Sequence, residues 1–173
     1  MITSTQIIYT LIIHILLFFL VLSTIYTDLA YKKIFNWQTY PCLAIGLFTH
    51  CFLGGFNGFL GSLTGLILGA LPLFVLFFIG GMGAGDVKLL AAIGALKGYQ
   101  FSLYTLFYSA LVGGGMAFIF ILWNGTVKKT ISNLFLLIRH PIKGISEIED
   151  SEQQYIPFGC AISLGCIWAF LVT

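Results

Sequence analysis

Residues 80–97 read GGMGAGDVKLLAAIGALK. The apolar part, residues 87–96, makes only about 15 Å of helix, roughly half the thickness of a bilayer's hydrocarbon core. Whether this short run crosses a membrane decides the fold. With it the chain has six crossings, and without it five.

That a membrane is involved follows from composition. Of 173 residues, 59% are hydrophobic and 8% charged, with a mean hydropathy of +1.02. A soluble domain is about 25% charged, so this chain lacks the polar surface to cover itself in water. Its net charge of +2 makes no electrostatic footprint for nucleic acid. Longer apolar runs cover residues 7–25, 37–53, 59–79, 101–123 and 156–172. The first lacks a preceding basic residue and is long enough to span, which predicts a retained helix rather than a cleaved signal.

Charge placement decides the short run. With six crossings, one side holds Lys32, Lys33, Lys88, Lys128, Lys129, Arg139 and Lys143, against Lys97 on the other, as the positive-inside rule requires. With five, Lys128, Lys129, Arg139 and Lys143 would all lie outside. We therefore expect an all-α integral membrane protein, a single polytopic domain over residues 1–173. It has six transmembrane helices, both termini outside, and a fourth helix extended into the glycine-rich turn or lying in thinned bilayer. Residues 124–155 form a cytoplasmic loop, in which residues 133–140, stopped by Pro141, predict a short surface helix.

The acids are few. Glu147, Glu149, Asp150 and Glu152 collect in that loop, as a solvated segment or as an attractive patch for a basic peptide. The other two, Asp28 and Asp86, sit where apolar runs meet the cytoplasmic side. Carboxylates at membrane depth are costly and face a bundle interior or a wet cavity. Two at equivalent depth suggest a convergent pair. Carboxyls about 3 Å apart share one proton, so one can take a proton from water while the other protonates a carbonyl under attack. Gly80, Gly81, Gly83 and Gly85 before Asp86 permit φ > 0 and close approach of another chain.

Other chemistries lack their residues. His14, His50 and His140 show no H-x-x-x-H spacing, and there is no G-x-S-x-G. Cys42, Cys51, Cys160 and Cys166 form no C-x-x-C and read as small buried hydrophobes. No metal and no cofactor are expected. From the residues alone, the two acids would also suit a small proton- or cation-coupled transporter, or be structural in a non-enzymatic assembly partner.

Three motifs narrow the choice. Gly83-Ala84-Gly85-Asp86 matches the G-x-G-D motif of membrane aspartyl proteases. Within 80–89 it resembles the type IV prepilin peptidases. Residues 28–36, DLAYKKIFN, resemble that family's D-x5-I-P-N segment, and residues 156–161, IPFGCA, its I-P-[YF]-G-x-A segment. The resemblance implies an aspartic endopeptidase that removes the short basic leader of prepilin-like proteins, on the cytoplasmic side of the cell membrane. Asp28 and Asp86 would be the catalytic pair and Gly83 and Gly85 the catalytic turn, with motif support from Asn36, Pro157 and Gly159. The expected partners are a prepilin-like substrate and the lipid bilayer, with no nucleic acid. Phe35 replaces the family's proline, which puts the stiffness of that loop in question. The amino-terminal part with paired cysteines found in larger members has no counterpart here. The likeness is therefore to the short members that serve tight-adherence pili or prearchaellins, which puts N-methylation in question. Lys32 and Lys88 read as membrane anchors rather than site residues.

Overall fold

The computed structural model describes residues 4–123 and 157–173. The predicted surface helix at 133–140 and the acidic cluster at 147–152 lie outside them. The described residues form helices joined by short turns: α1 (Ser4–Tyr31), α2 (Asn36–Phe78), α3 (Ala84–Lys97), α4 (Tyr99–Trp123) and α5 (Phe158–Val172). Compact unit one comprises Met1–Val112 and Pro157–Thr173; unit two is Gly113–Ile156, described only over the end of α4. Everything below concerns unit one.

This is an all-α membrane protein. Its large apolar side chains point outward, with Leu11, Phe18, Phe48, Phe74, Phe107 and Leu171 all exposed. Its interior instead holds Thr24, Gln38, Ser62, Ser102, Thr105 and Ser163 beside small and aliphatic residues. Lipid tails leave no hydrophobic drive between helices, so small and hydroxyl side chains make the close contacts. Among the described residues, three helices are long and apolar enough to cross: Gln6–Tyr31, Asn36–Phe78 and Tyr99–Phe120.

The second and third apolar runs are joined in one 43-residue helix, about 64 Å if straight and twice the hydrocarbon thickness. It is not straight. Gly55, at φ 57° and ψ −143°, is non-helical, and the arms before and after it run past α3 in opposite directions. On the first arm, Asn36 meets Lys88 while His50 Nε2 lies 2.9 Å from the Leu96 carbonyl oxygen. On the second, Ser62 Oγ donates to the Ala95 carbonyl at 2.6 Å, and Gly69 lies against Leu90. Gly46 and Gly65 give α3's backbone no room for a Cβ on either arm. The gap at residues 54–58 between the second and third apolar runs thus holds a single non-helical residue, Gly55, which folds the helix back.

The short run does extend into the glycine-rich segment. α3 has 14 residues, about 21 Å. It starts at Ala84 and stops at Gly98, which takes φ 85° and returns its N–H to Gly94. Three of the cysteines are buried as expected. Cys51 departs from that reading: it is exposed, because it lies on the outer side of the first arm just before the fold at Gly55.

Candidate active site

Four helix ends meet at one end of the bundle: the C-terminus of α1 and the N-termini of α2, α3 and α5. α1 stops at Tyr31, and Lys32 takes the left-handed conformation at φ 54° with its N–H on the Asp28 carbonyl at 3.0 Å. That turn ends the helix, and residues 33–35 that follow it are in neither helix nor strand. Phe35, at φ −85° and ψ 143°, has the backbone a proline would adopt, and its ring packs edge-on against Tyr31 at 5.8 Å. Phe35 thus holds an extended backbone here without the constraint of a proline ring.

Asp28 is 2% exposed, and its carboxylate accepts a hydrogen bond from the backbone N–H of Cys160 at 2.8 Å. Cys160 is the third residue of α5, counted from Pro157 at the N-cap, so its N–H is one of the donors a helix leaves unsatisfied at its start. Asp28 caps α5 from another helix. Gly159 makes this possible, since a Cβ there would lie 2.9 Å from Asp28 Oδ2 and from Ile34 Cδ1.

Asp86 is the third residue of α3 after Gly83 at the N-cap. Its side chain reaches back to the Gly83 N–H, as one half of a capping box, while its own N–H donates to the Gly83 carbonyl at 3.2 Å. Both groups benefit from the positive end of the helix dipole. Gly85 provides the close approach: a Cβ there would meet Ile34 Cβ at 3.0 Å. Ile34 thus lies against both Gly85 and Gly159, and wedges the two carboxyl-bearing helix ends together.

The carboxyls are near enough to feel each other. Asp86 lies just outside the apolar run 87–96, and its carboxyl is pushed up to about 7, first by burial and then by the charge of Asp28, against the lowering effect of the Gly83 N–H. The pair can hold one proton near neutral pH. Coupled carboxyls of this kind can combine an acid and a base in one site.

Two sequence expectations change. Among the four glycines before Asp86, Gly80 alone has positive φ. Gly85 serves close approach, whereas Gly83 has φ −77° and a Cβ there would stand 3.4 Å from Asp86 Oδ2, an ordinary contact. Pro157 and Gly159 had no chemical role in the sequence, and here they open the helix that Asp28 caps. Ile34 and the Cys160 backbone were missed altogether, since neither a wedge nor a main-chain donor has a residue-type signature.

The remaining residues stand aside. Lys88 Nζ donates to Asn36 Oδ1 at 3.0 Å and lies over the Tyr40 ring at 5.4 Å, tying the starts of α2 and α3 together. No group of metal-ligating side chains occurs among the described residues.

The sequence profile of the Type IV leader peptidase family matches residues 15–118. The match includes Asp28, Asn36 and Asp86 but not Pro157 or Gly159. No curated protein and no solved structure matches the chain.

Proposed function

The chain belongs to the type IV leader peptidase family, and we propose that it is an aspartic endopeptidase which removes the basic leader from prepilin-like precursors at the cytoplasmic face of the cell membrane. The observation that carries this is the meeting of Asp28 and Asp86, from distant parts of the sequence, at one end of the bundle with one raised carboxyl between them. In the proposed reaction the unprotonated carboxylate takes a proton from water. The water oxygen bonds to the scissile carbonyl carbon as the other carboxyl protonates the carbonyl oxygen. The C–N bond then breaks and the nitrogen leaves with a proton from the pair.

Six crossings follow if the two arms of α2 count separately and α3 and α5 complete the set. Charge counting then puts both termini outside and both aspartates on the cytoplasmic side. The acids Glu147, Glu149, Asp150 and Glu152 would draw in the basic leader. Neutralising all four should raise KM and flatten its salt dependence, with kcat kept.

The test of the reaction is to co-express the chain with a precursor bearing a basic leader, a glycine and an apolar helix, and to follow leader removal. Asp28→Asn and Asp86→Asn should each abolish it while the protein still accumulates in the membrane. Normal processing by either variant would refute the mechanism.

A further inference from the structure

We infer that Gln38 is a positioning residue for the peptidase reaction: its side-chain amide, reaching from the first turn of α2 to α1, holds the turn that carries Asp28 in place against Asp86. This role rests on the proposed pairing of the two carboxyls. Gln38 is 1% exposed and is the bulkiest polar side chain buried among the described residues, yet the reaction as drawn makes no use of it.

Its backbone N–H donates to the Phe35 carbonyl at 3.2 Å, and its side chain crosses to α1. There Nε2 donates to the Ser23 carbonyl at 3.4 Å, and Oε1 accepts from the Thr27 hydroxyl at 3.3 Å. A carbonyl can only accept, so the Ser23 bond fixes which way the amide points. Ser23 and Thr27 are one helical turn apart, and Asp28 comes next in the chain. Another side of the same turn meets α5, where the Cys160 thiol donates to the Ile25 carbonyl at 3.9 Å and the Cys160 N–H to Asp28. The turn is therefore held from two helices. Gln38 also fixes the far end of the loop that carries Ile34, whose near end is the turn at Lys32.

Stability alone does not call for this amide. Without it Thr27 would keep its bond to the Thr24 carbonyl at 3.3 Å, and the Ser23 carbonyl would keep its intrahelical partner. A leucine in place of Gln38 would thus orphan neither group, and it is close enough in volume to fill the space. What the leucine would remove is direction. Apolar packing lets helices turn and slide, whereas a satisfied buried polar contact selects one arrangement. The group that gains from a fixed arrangement is the carboxyl one residue beyond Thr27.

The test uses the full chain purified in detergent, with three readouts: cleavage of a precursor bearing a basic leader, a glycine and an apolar helix; the infrared carbonyl titration of Asp86; and Tm. Gln38→Leu should lower kcat about tenfold, since misplacement of 1 Å costs about a hundredfold, and should keep KM within about twofold. The Asp86 titration should move to lower pH, because the charge of Asp28 helps to raise it and would no longer be held close. Tm should stay within about 3 °C of wild type. Thr27→Val should lower kcat in the same way, and Thr27→Ser, which keeps the hydroxyl, should restore it. The double variant Gln38→Leu with Thr27→Val should be no slower than the slower single variant. Should Gln38→Leu fail to fold, Gln38→Met serves with the same expected losses. A wild-type kcat, an unmoved Asp86 titration, or losses that multiply in the double variant would overturn the role. The titration needs no substrate. If the wild type cleaves no precursor but Gln38→Leu moves the Asp86 titration, the positioning stands and the peptidase assignment fails; an active enzyme with an unmoved titration gives the reverse.

Discussion

The two ends of α3 each carry a charge removed from water, Asp86 at the start and Lys97 at the end, and both placements suit the helix dipole. Burial acts on each as it must, since it disfavours the charged form. The Asp86 carboxyl is pushed up to about 7 and the Lys97 ammonium down from its usual value. Had these been the whole story, both residues would be ordinary helix-end charges. The difference lies in what the fold adds. At the start of α3 it brings a second carboxylate from α1, caps a third helix with it, and omits a Cβ at Gly85 and Gly159 so that Ile34 can hold the ends together. At the other end it gives Lys97 a histidine prop, two aromatic rings and a cavity. One end assembles like charges against their repulsion, whereas the other sets a single cation against a histidine nitrogen and two aromatic rings.

Crowding one end of α3 and neutralising the other should affect cleavage very differently. Gly159→Ala should lower leader cleavage about a hundredfold, because the Cβ displaces the Asp28 carboxylate, and 1 Å of misplacement costs that much. Lys97→Met should stay within about twofold of wild type by the same assay. Equal losses would mean that both ends serve one site.

Gly85→Ala comes next, with a loss of about tenfold, since its Cβ need only push Ile34 aside by a few tenths of an ångström. In an Ile34→Gly background, which lacks the Cβ that the new one would meet, Gly85→Ala should cost no further activity. An equal loss in both backgrounds would remove Ile34 from its role as wedge.

The pH dependence has a definite sign. A folded-state carboxyl raised from 3.8 to about 7 binds its proton more tightly than the unfolded chain does. The stability this contributes is present below about pH 4 and is lost as pH rises to about 7. Asp86→Asn should therefore raise Tm at pH 8 relative to wild type by a few degrees, and by less at pH 5. Cleavage by the wild type should fall through a basic limb near pH 7. In Asp28→Asn, titration of Asp86 followed by its infrared carbonyl stretch should move to lower pH, and an unmoved titration would mean the carboxyls do not interact.

The smallest effect is expected at Gly83, the first glycine of the G-x-G-D motif. Gly83→Ala should change cleavage by less than about threefold, because φ −77° suits any residue and the new Cβ has room. A loss as large as that of Gly159→Ala would show that the turn changes shape when substrate binds.

Much of this is legible in the sequence. Scarcity of charge marks the membrane, and it leaves Asp28 and Asp86 as conspicuous acids because each is costly there. The apolar runs locate the helices, and α3 extends toward the glycines as the short run required. What stayed hidden depends on distance in space. Nothing local shows that Gly159 faces Asp28 from 131 positions away, that the Cys160 main chain would be its partner, or that Gly55 alone folds α2 back. A glycine cluster signals freedom without saying which member uses it, so Gly80 and Gly85 could not be told from Gly83. Lys97 looked like a stray charge until His14 and Phe170 came beside it.

The proposed reaction requires Asp28 and Asp86 to act as one unit. Its most direct test is the cleavage rate of purified Asp28→Asn, Asp86→Asn and the double variant on one precursor, at constant helicity by circular dichroism. Removing either carboxyl should cost about a thousandfold or more, and the double variant should be no slower than the slower single variant, because a pair that shares a proton is lost with its first member. Losses that multiply, or one variant that cleaves at the wild-type rate, would contradict it.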